Sequence, residues 1–491
     1  MVCCDRPPLK SIGTHAKILS IPSTECNHKH VMRQLIPQVN LPDNFRCGGF
    51  YGCIKNEVIS LHERHAQEVP QWGSKAGYLW DLGFTFLRED FPSRPRVKLT
   101  REECIAQASE CRRNRMRNAY RNIDINGWDD RYARGKSFVK FEEFECTEDL
   151  DQKACRMIQH RSDEYCYTLA RYMKVIEKST LYKRRCNQRI FMKGLTPRQK
   201  AKTLLAAAEC FRNPVFICLD HSRYDAHLVD PIKQRVREYY MEFFPGDNKL
   251  RHLLHMQRNN RVTSANGVKY QVTGTLMSGD YNTSLEGNLV NYAALRVVFQ
   301  DIRAEYLVDG DDSVVVCDAL DLKRAHFGLL KDMRLTTKVD VHYSIYDADF
   351  CQCQYVETAE GPTFVRNPFR VMSRTCYTEK TYDKLDTYQR LLKAVGMCEF
   401  TCNRGVPVLQ AYSDMLIRSA GPVEHLSGEL SLMLAKRGVS LNNKALNITH
   451  EARLSFELAF GIPLHQQLEL EMVFQTTELP LLLLPSRDYN T

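Results

Sequence analysis

The sharpest apolar signal in this chain of 491 residues is the run Val215-Phe216-Ile217-Cys218-Leu219, and no internal repeat surrounds it. Five consecutive apolar residues predict a strand buried on both faces, because a strand with one wet face alternates. The run ends on an acid, Asp220, and a second acid closes the stretch Asp220-His221-Ser222-Arg223-Tyr224-Asp225. Further on, Leu285, Leu289, Tyr292, Leu295 and Val298 recur at three- and four-residue steps, which predicts a helix over 282–298 entered from the turn-prone Ser278-Gly279-Asp280. Two β-favouring runs then flank Asp309-Gly310-Asp311-Asp312, predicting a tight hairpin with adjacent carboxylates at its tip. Gly310 supplies the backbone freedom such a turn needs.

Beyond the hairpin the pattern predicts a helix over 322–333, a short strand near 337–339 and a Cys-rich strand pair around 350–356, then mostly helices after residue 376. The last strong helix is expected to start at a Thr449 cap, to bury Leu454, Leu458 and Phe460, and to stop at Gly461 and Pro463. The first 45 residues carry several prolines and no clear period, so they read as an extended arm that must pack on something else. The densest basic runs are Arg112-Arg113-Asn114-Arg115-Met116-Arg117 and Lys183-Arg184-Arg185. Each reads either as a solvated helix face or as a contact for a polyanion.

Composition narrows the class. A hydrophobic share of 43% with 26% charged residues excludes a disordered chain, and the length allows two to four subdomains. The 68 Lys and Arg against 59 Asp and Glu leave a net charge of +9, which suits a polyanionic partner without requiring one. No apolar run approaches the ~20 residues that span a bilayer. The 19 cysteines are scattered and odd in number, with no secretory signal ahead of them, so reduced thiols in the cytosol are expected. Cys3 and Cys4 read as a reduced pair or as acylation sites. Cys26-x-His28-x-His30, with Cys47 and Cys53 following, could gather around zinc, although the spacing matches no zinc finger.

If the strand ending at Asp220 lies beside the hairpin, Asp220, Asp311 and Asp312 converge. Such a cluster costs several kcal/mol in repulsion and desolvation unless divalent cations bind it or its pKa values rise. Hard oxygen ligands select Mg²⁺ or Mn²⁺, and two such ions ~4 Å apart serve in-line displacement at phosphorus. Asp225 is then placed to accept a hydrogen bond from a ribose hydroxyl. The segment from Lys153 to Arg161 alternates basic and apolar residues, so Lys153, Arg156 and Arg161 are candidates to hold a triphosphate.

Taken in order, these segments resemble the RNA-dependent RNA polymerases of positive-strand RNA viruses, most closely the tombusvirus-like ones, over about residues 138–475. The resemblance implies that Lys153 to Arg161 is the basic fingers motif, Asp220 to Asp225 the first palm motif, Ser278-Gly279-Asp280-Tyr281-Asn282-Thr283 the second and Gly310-Asp311-Asp312 the third. It makes Lys338 the donor of a proton to leaving pyrophosphate and Phe350-Cys351-Gln352 the primer grip. The segment from Glu451 to Ile462 is similar to a thumb element of that group. In the second motif the family places an asparagine four residues after the threonine. Here Thr283 is followed by Asn288 at five, which a one-residue bulge at Glu286-Gly287 would bring back into line.

The fold class so implied is α+β, a right-hand polymerase. Its parts are an arm (1–45), fingers (46–205), a palm (206–375) with a finger insertion at about 226–270, a helical thumb (376–475) and a tail (476–491). The activity implied is RNA-templated RNA synthesis from ribonucleoside triphosphates with two Mg²⁺ or Mn²⁺ ions, and the partners are template and nascent RNA. A membrane-anchoring viral protein would hold the chain at replication complexes in the host cytoplasm. Two other readings are a reverse transcriptase, which usually carries a bulky side chain where Asp225 stands, and a non-catalytic RNA-binding scaffold.

Overall fold

The computed structural model describes residues 3–4, 6–23, 26, 32–39, 47–142, 144–145, 154–185, 188–379, 382, 384–423 and 428–482. Its centre is a four-stranded antiparallel sheet in the order Glu305–Asp309, Asp312–Asp318, Pro214–His221, Thr337–His342. The apolar run at 215–219 is buried on both faces, as its lack of alternation predicts. On one face Val215, Ile217 and Leu219 join the largest core, shared with the helices Ser74–Asp90 and Thr283–Val298. On the other, Phe216 and Cys218 pack with Leu307, Val314, Val316, Phe350 and Phe364 beneath the helix Pro197–Ala208. At roughly 1.5–3 kcal/mol for each fully buried large apolar side chain, these two layers fix the strand's position more firmly than any polar contact at its end could.

Helix 283–298 lies so close to helix 74–90 that a Cβ at Gly83 would fall 2.7 Å from the Ala293 carbonyl oxygen. A second, five-stranded sheet has the order Ala16–Ser20, Lys269–Thr273, Asn259–Ser264, Gly135–Val139, Met157–His160. The N-terminal arm therefore packs on a distant segment, as its composition suggests. It crosses the molecule as well: Arg33–Gln34 pairs with Tyr377–Thr378, and Leu35 N–H donates to the Cys376 carbonyl at 2.7 Å. After residue 384 come the helices Leu385–Cys402, Leu409–Ser419, Glu429–Arg437, His450–Phe460 and Leu464–Thr476. No helix among the described residues is long and apolar enough to cross a membrane.

Three expectations about elements need correction. The helix expected over 322–333 is a 3₁₀ turn, Leu322–Arg324, and a short helix, Gly328–Asp332, separated by an extended Ala325. His326 N–H donates across to the Val298 carbonyl at 2.9 Å, and that tertiary bond interrupts the helix. The Cys-rich pair at 350–356 is one strand, Cys353–Val356, whose partner is Thr363–Arg366. Cys351 and Gln352, both at positive φ, form the tight turn before it. In the helix after Thr449 the cap and the Gly461 stop are as expected, but Leu454 and Leu458 are exposed while Ala452, Phe456 and Ala459 are buried.

Candidate active site

The register of the central sheet decides what the acids can do. Asp312 is the cross-strand partner of Asp220, Asp220 is that of Lys338 on its other side, and Asp309 pairs with Asp312 across the hairpin. The turn consists of Gly310 and Asp311 alone, with Gly310 at φ 76°, the left-handed conformation that a two-residue primed turn with glycine first requires. Asp311 is thereby carried at the tip beside Asp220.

A buried network sets the height of that tip. Asn291, on helix 283–298, donates from Nδ2 to the carbonyls of Gly310 and Asp311 at 3.0 and 3.2 Å. Its Oδ1 lies 3.1 Å from His221 Nε2, and His221 Nδ1 lies 2.7 Å from Thr337 Oγ1. Because the amide nitrogen is committed to two carbonyls, the imidazole must donate from Nε2 and accept at Nδ1 from the threonine. Burial keeps His221 neutral, pulling it down to about 4. One asparagine thus locks the turn and the neighbouring strand together.

Asp220, Asp225 and Asp311 open on a cavity of about 840 Å³ that is also lined by Arg64, His65, Lys140, Arg156, Arg223 and Ser278. Burial, then Asp311 and Asp220, push Asp312 up to about 7. Burial is likewise the main cause that raises Asp311, and with Asp311 it raises Asp225 to about 6. Among the described residues no lysine, arginine or histidine forms an ion pair with Asp220, Asp311 or Asp312, although Lys200 pairs with the adjacent Asp309 at 2.5 Å. Crowded carboxylates without a protein cation fit hard divalent ions, and their oxygen donors suit Mg²⁺ or Mn²⁺.

The Ser278-Gly279 loop is held against the second sheet. Ser278 Oγ bridges Gln159 N–H and the Met157 carbonyl at 3.3 Å each, and Gly279 N–H donates to the Gln159 carbonyl at 2.7 Å. A Cβ at Gly279 would lie 2.5 Å from that carbonyl oxygen, so only glycine permits the approach. Thr283 Oγ1 closes the loop on the Met277 and Asp280 carbonyls at 2.6 and 2.9 Å.

Several sequence candidates sit elsewhere. Lys153 lies outside the described residues. Arg156 lines the cavity, with Glu142 3.7 Å away. Arg161 is withdrawn from it: its guanidinium is buried, paired with Asp280 at 2.8 Å and bonded to Asn260 and to the Ala133 carbonyl. The alternation that suggested an exposed basic face breaks at Arg161 because Asp280 supplies a buried partner. Lys338 stands beside Asp220 with its side chain 71% exposed and paired to Asp340 at 2.7 Å, a contact that raises its pKa.

The bulge expected at Glu286-Gly287 does not form; helix 283–298 is regular α-helix throughout. Asn288 is buried, donates to the Ser284 carbonyl at 2.7 Å and leaves Oδ1 without a partner. The position four after Thr283 is Gly287, whose Cβ would meet the Tyr224 ring at 3.6 Å and Gly310 at 3.8 Å. One turn further on the same face is Asn291, the residue that reaches the hairpin.

Sequence reasoning missed Arg64, Lys140 and Arg223 at the cavity, Asn291 beneath it, and Asp349, a carboxylate raised by burial and close enough to Asp220 and Asp312 to repel them. Asn291 had a legible signal, since it is eight residues after Thr283 and therefore near the same helical face. The others come from distant segments with no local pattern.

Residues 92–481 match the family model described as viral RNA dependent RNA polymerase. The chain is 31% identical over 346 residues to the RNA-directed RNA polymerase of melon necrotic spot virus, covering 67% of this chain and 43% of the relative. To those of carnation mottle virus and tobacco necrosis virus (strain A) it is 31% identical over 387 and 366 residues, covering 74% and 72% of this chain and 49% and 50% of theirs. The chain thus spans about half the length of the curated relatives it matches. With the matched region enclosing every acid of the central sheet, the chain belongs to the viral RNA-dependent RNA polymerase family.

Proposed function

We propose that this chain catalyses RNA-templated RNA synthesis from ribonucleoside triphosphates. The observation that carries the reading is the cross-strand placement of Asp220 beside Asp312, with Asp311 at the adjoining tip and, among the described residues, no protein cation paired to any of the three. On this reading Asp220, Asp311 and Asp312 hold a pair of Mg²⁺ or Mn²⁺ ions. When bound, such ions activate the attacking hydroxyl and stabilise charge on the leaving pyrophosphate. Arg64, Lys140 and Arg156, all lining the cavity, orient the triphosphate in place of the buried Arg161. Asp225 accepts a hydrogen bond from the ribose 2′-hydroxyl, and its elevated pKa reflects the dry surroundings in which that bond discriminates most. Lys338, kept charged by Asp340, is the proton donor to pyrophosphate.

The same reading assigns the central sheet and its helices to a palm (206–375, with the insertion at about 226–270 belonging to the fingers), residues 46–205 to fingers and 376–475 to a thumb. The N-terminal arm pairing with Tyr377–Thr378 then joins the fingers side to the thumb side. Template and nascent RNA are the macromolecular partners, and a viral membrane-anchoring protein recruits the chain to replication complexes in the host cytoplasm.

The test is synthesis by the purified chain on a short RNA template with ribonucleotides and Mn²⁺. Labelled product that is abolished by Asp311→Asn supports the reading, and equal product from both proteins removes it. Asp225→Ala should narrow the preference for ribo- over deoxyribonucleotides; an unchanged ratio removes its role.

A further inference from the structure

Three cysteine thiols from separate parts of the chain meet where the N-terminal arm lands on the segment Ile54–His65. Cys3 Sγ lies 3.5 Å from Cys53 Sγ and 3.8 Å from Cys26 Sγ, and all three sulphurs are within 4.8 Å of one another. Sulphurs on a tetrahedral zinc at about 2.3 Å are separated by roughly 3.8 Å, the edge of the tetrahedron. Both short separations match that edge. A disulfide needs a sulphur–sulphur distance of about 2.05 Å and joins two residues, not three.

Cys3 and Cys26 are only partly buried, whereas Cys53, at the start of a helical segment, is buried. The arm is fixed so that Cys3 is held in place. Cys4 N–H donates to Asn56 Oδ1 at 2.8 Å, Arg6 forks onto both Glu63 oxygens at 2.6 and 2.9 Å, and Leu9 N–H donates to Glu63 Oε1 at 2.9 Å. These bonds hold Cys3 beside Cys53, and a ligand pair positioned in advance loses little conformational freedom on binding a metal.

We propose that Cys3, Cys26 and Cys53 are thiolate ligands of a structural Zn²⁺ that clips the arm to the Ile54–His65 segment. The zinc binds as the thiols release their protons to solvent, and no electron is transferred. Three thiolates leave one tetrahedral position to a further donor. The far end of the clipped segment carries Arg64 and His65 into the wall of the large cavity, and His65 Nε2 accepts from Met157 N–H at 2.9 Å. The clip therefore stiffens one wall of that cavity. The zinc assignment itself does not depend on the polymerase reading.

The experiment uses the full chain, purified under reducing conditions without chelator from zinc-supplemented culture, with bound metal measured by mass spectrometry. One zinc per chain is expected, lost in Cys3→Ser, Cys26→Ser and Cys53→Ser and kept in Cys210→Ser. Replacement by Co²⁺ in the unmutated chain should give thiolate-to-cobalt charge-transfer absorption with tetrahedral d–d bands, whose position identifies the fourth donor. That reading does not depend on whether the serine variants fold. A zinc-free chain that shows no charge-transfer band with Co²⁺, zinc retained by all three serine variants, or a Cys3–Cys53 disulfide in the reduced preparation would each overturn the proposal.

Discussion

Glu399 and Asp312 are both carboxylates withdrawn from water, and burial alone would push both upward. Glu399, in the helix Leu385–Cys402, receives Arg366 at 2.7 and 2.8 Å and Arg437 at 2.6 and 3.2 Å, and these cations overcome the effect of burial and hold it down to about 2. Among the described residues Asp312 has no such partner, and further acids surround it, so burial and repulsion raise it to about 7. The molecule neutralises one buried acid with its own arginines, and on the proposed reading the other cluster is neutralised by cations from solution. That contrast separates a structural ion pair from the proposed metal site more clearly than burial does.

The largest effect expected from breaking the contrast is on the acid cluster. On the two-metal reading proposed above, Asp311→Asn withdraws metal-borne stabilisation of about 4 kcal/mol from the reaction. At about 1.4 kcal/mol per tenfold, synthesis should fall roughly a thousandfold in single-turnover assays while the fold is retained. Next is the opposite site. Glu399→Gln strands two arginines and should lower the unfolding free energy by about 3–5 kcal/mol in denaturant titrations, with activity per folded molecule largely kept. A smaller loss is expected where the loop meets the second sheet. Gly279→Ala forces a Cβ to within 2.5 Å of the Gln159 carbonyl, at about 1–3 kcal/mol, and should raise KM for nucleotide more than it lowers stability.

The smallest effect is in pH, and the two sites differ in sign. For Asp312 and Asp225 the folded pKa is raised. Their stabilising contribution is complete below the ordinary carboxylate value of about 4 and is lost as pH rises through about 6 to 7. For Glu399 the folded pKa is lowered. Its contribution is present above the ordinary value and is lost as pH falls through about 2. Melting curves should accordingly show Mg²⁺ raising Tm more at pH 8 than at pH 5.5, and Asp312→Asn should flatten the metal-free decline above pH 5. Equal Mg²⁺ shifts at both pH values would contradict the assignment.

Local patterns made much of the centre legible and little of its surroundings. The run at 215–219 announced a strand buried on both faces, the hairpin followed from β-favouring runs around a glycine turn, and the helix after Thr283 followed from its period. These features owe little to distant partners. Arg161 failed because the buried Asp280, 119 residues away, claims its guanidinium. Leu454 and Leu458 failed because the helix rotates its small residues and Phe456 inward. The cavity cations Arg64, Lys140 and Arg223 could not be grouped in advance, since only the folded sheets bring their segments to one wall.

The most direct test is anomalous scattering from crystals soaked in Mn²⁺ with a nucleotide. The account predicts two peaks ~4 Å apart, bridged by carboxylate oxygens of Asp220, Asp311 and Asp312. Manganese bound only at other acids, with these three side chains free of metal, would contradict it.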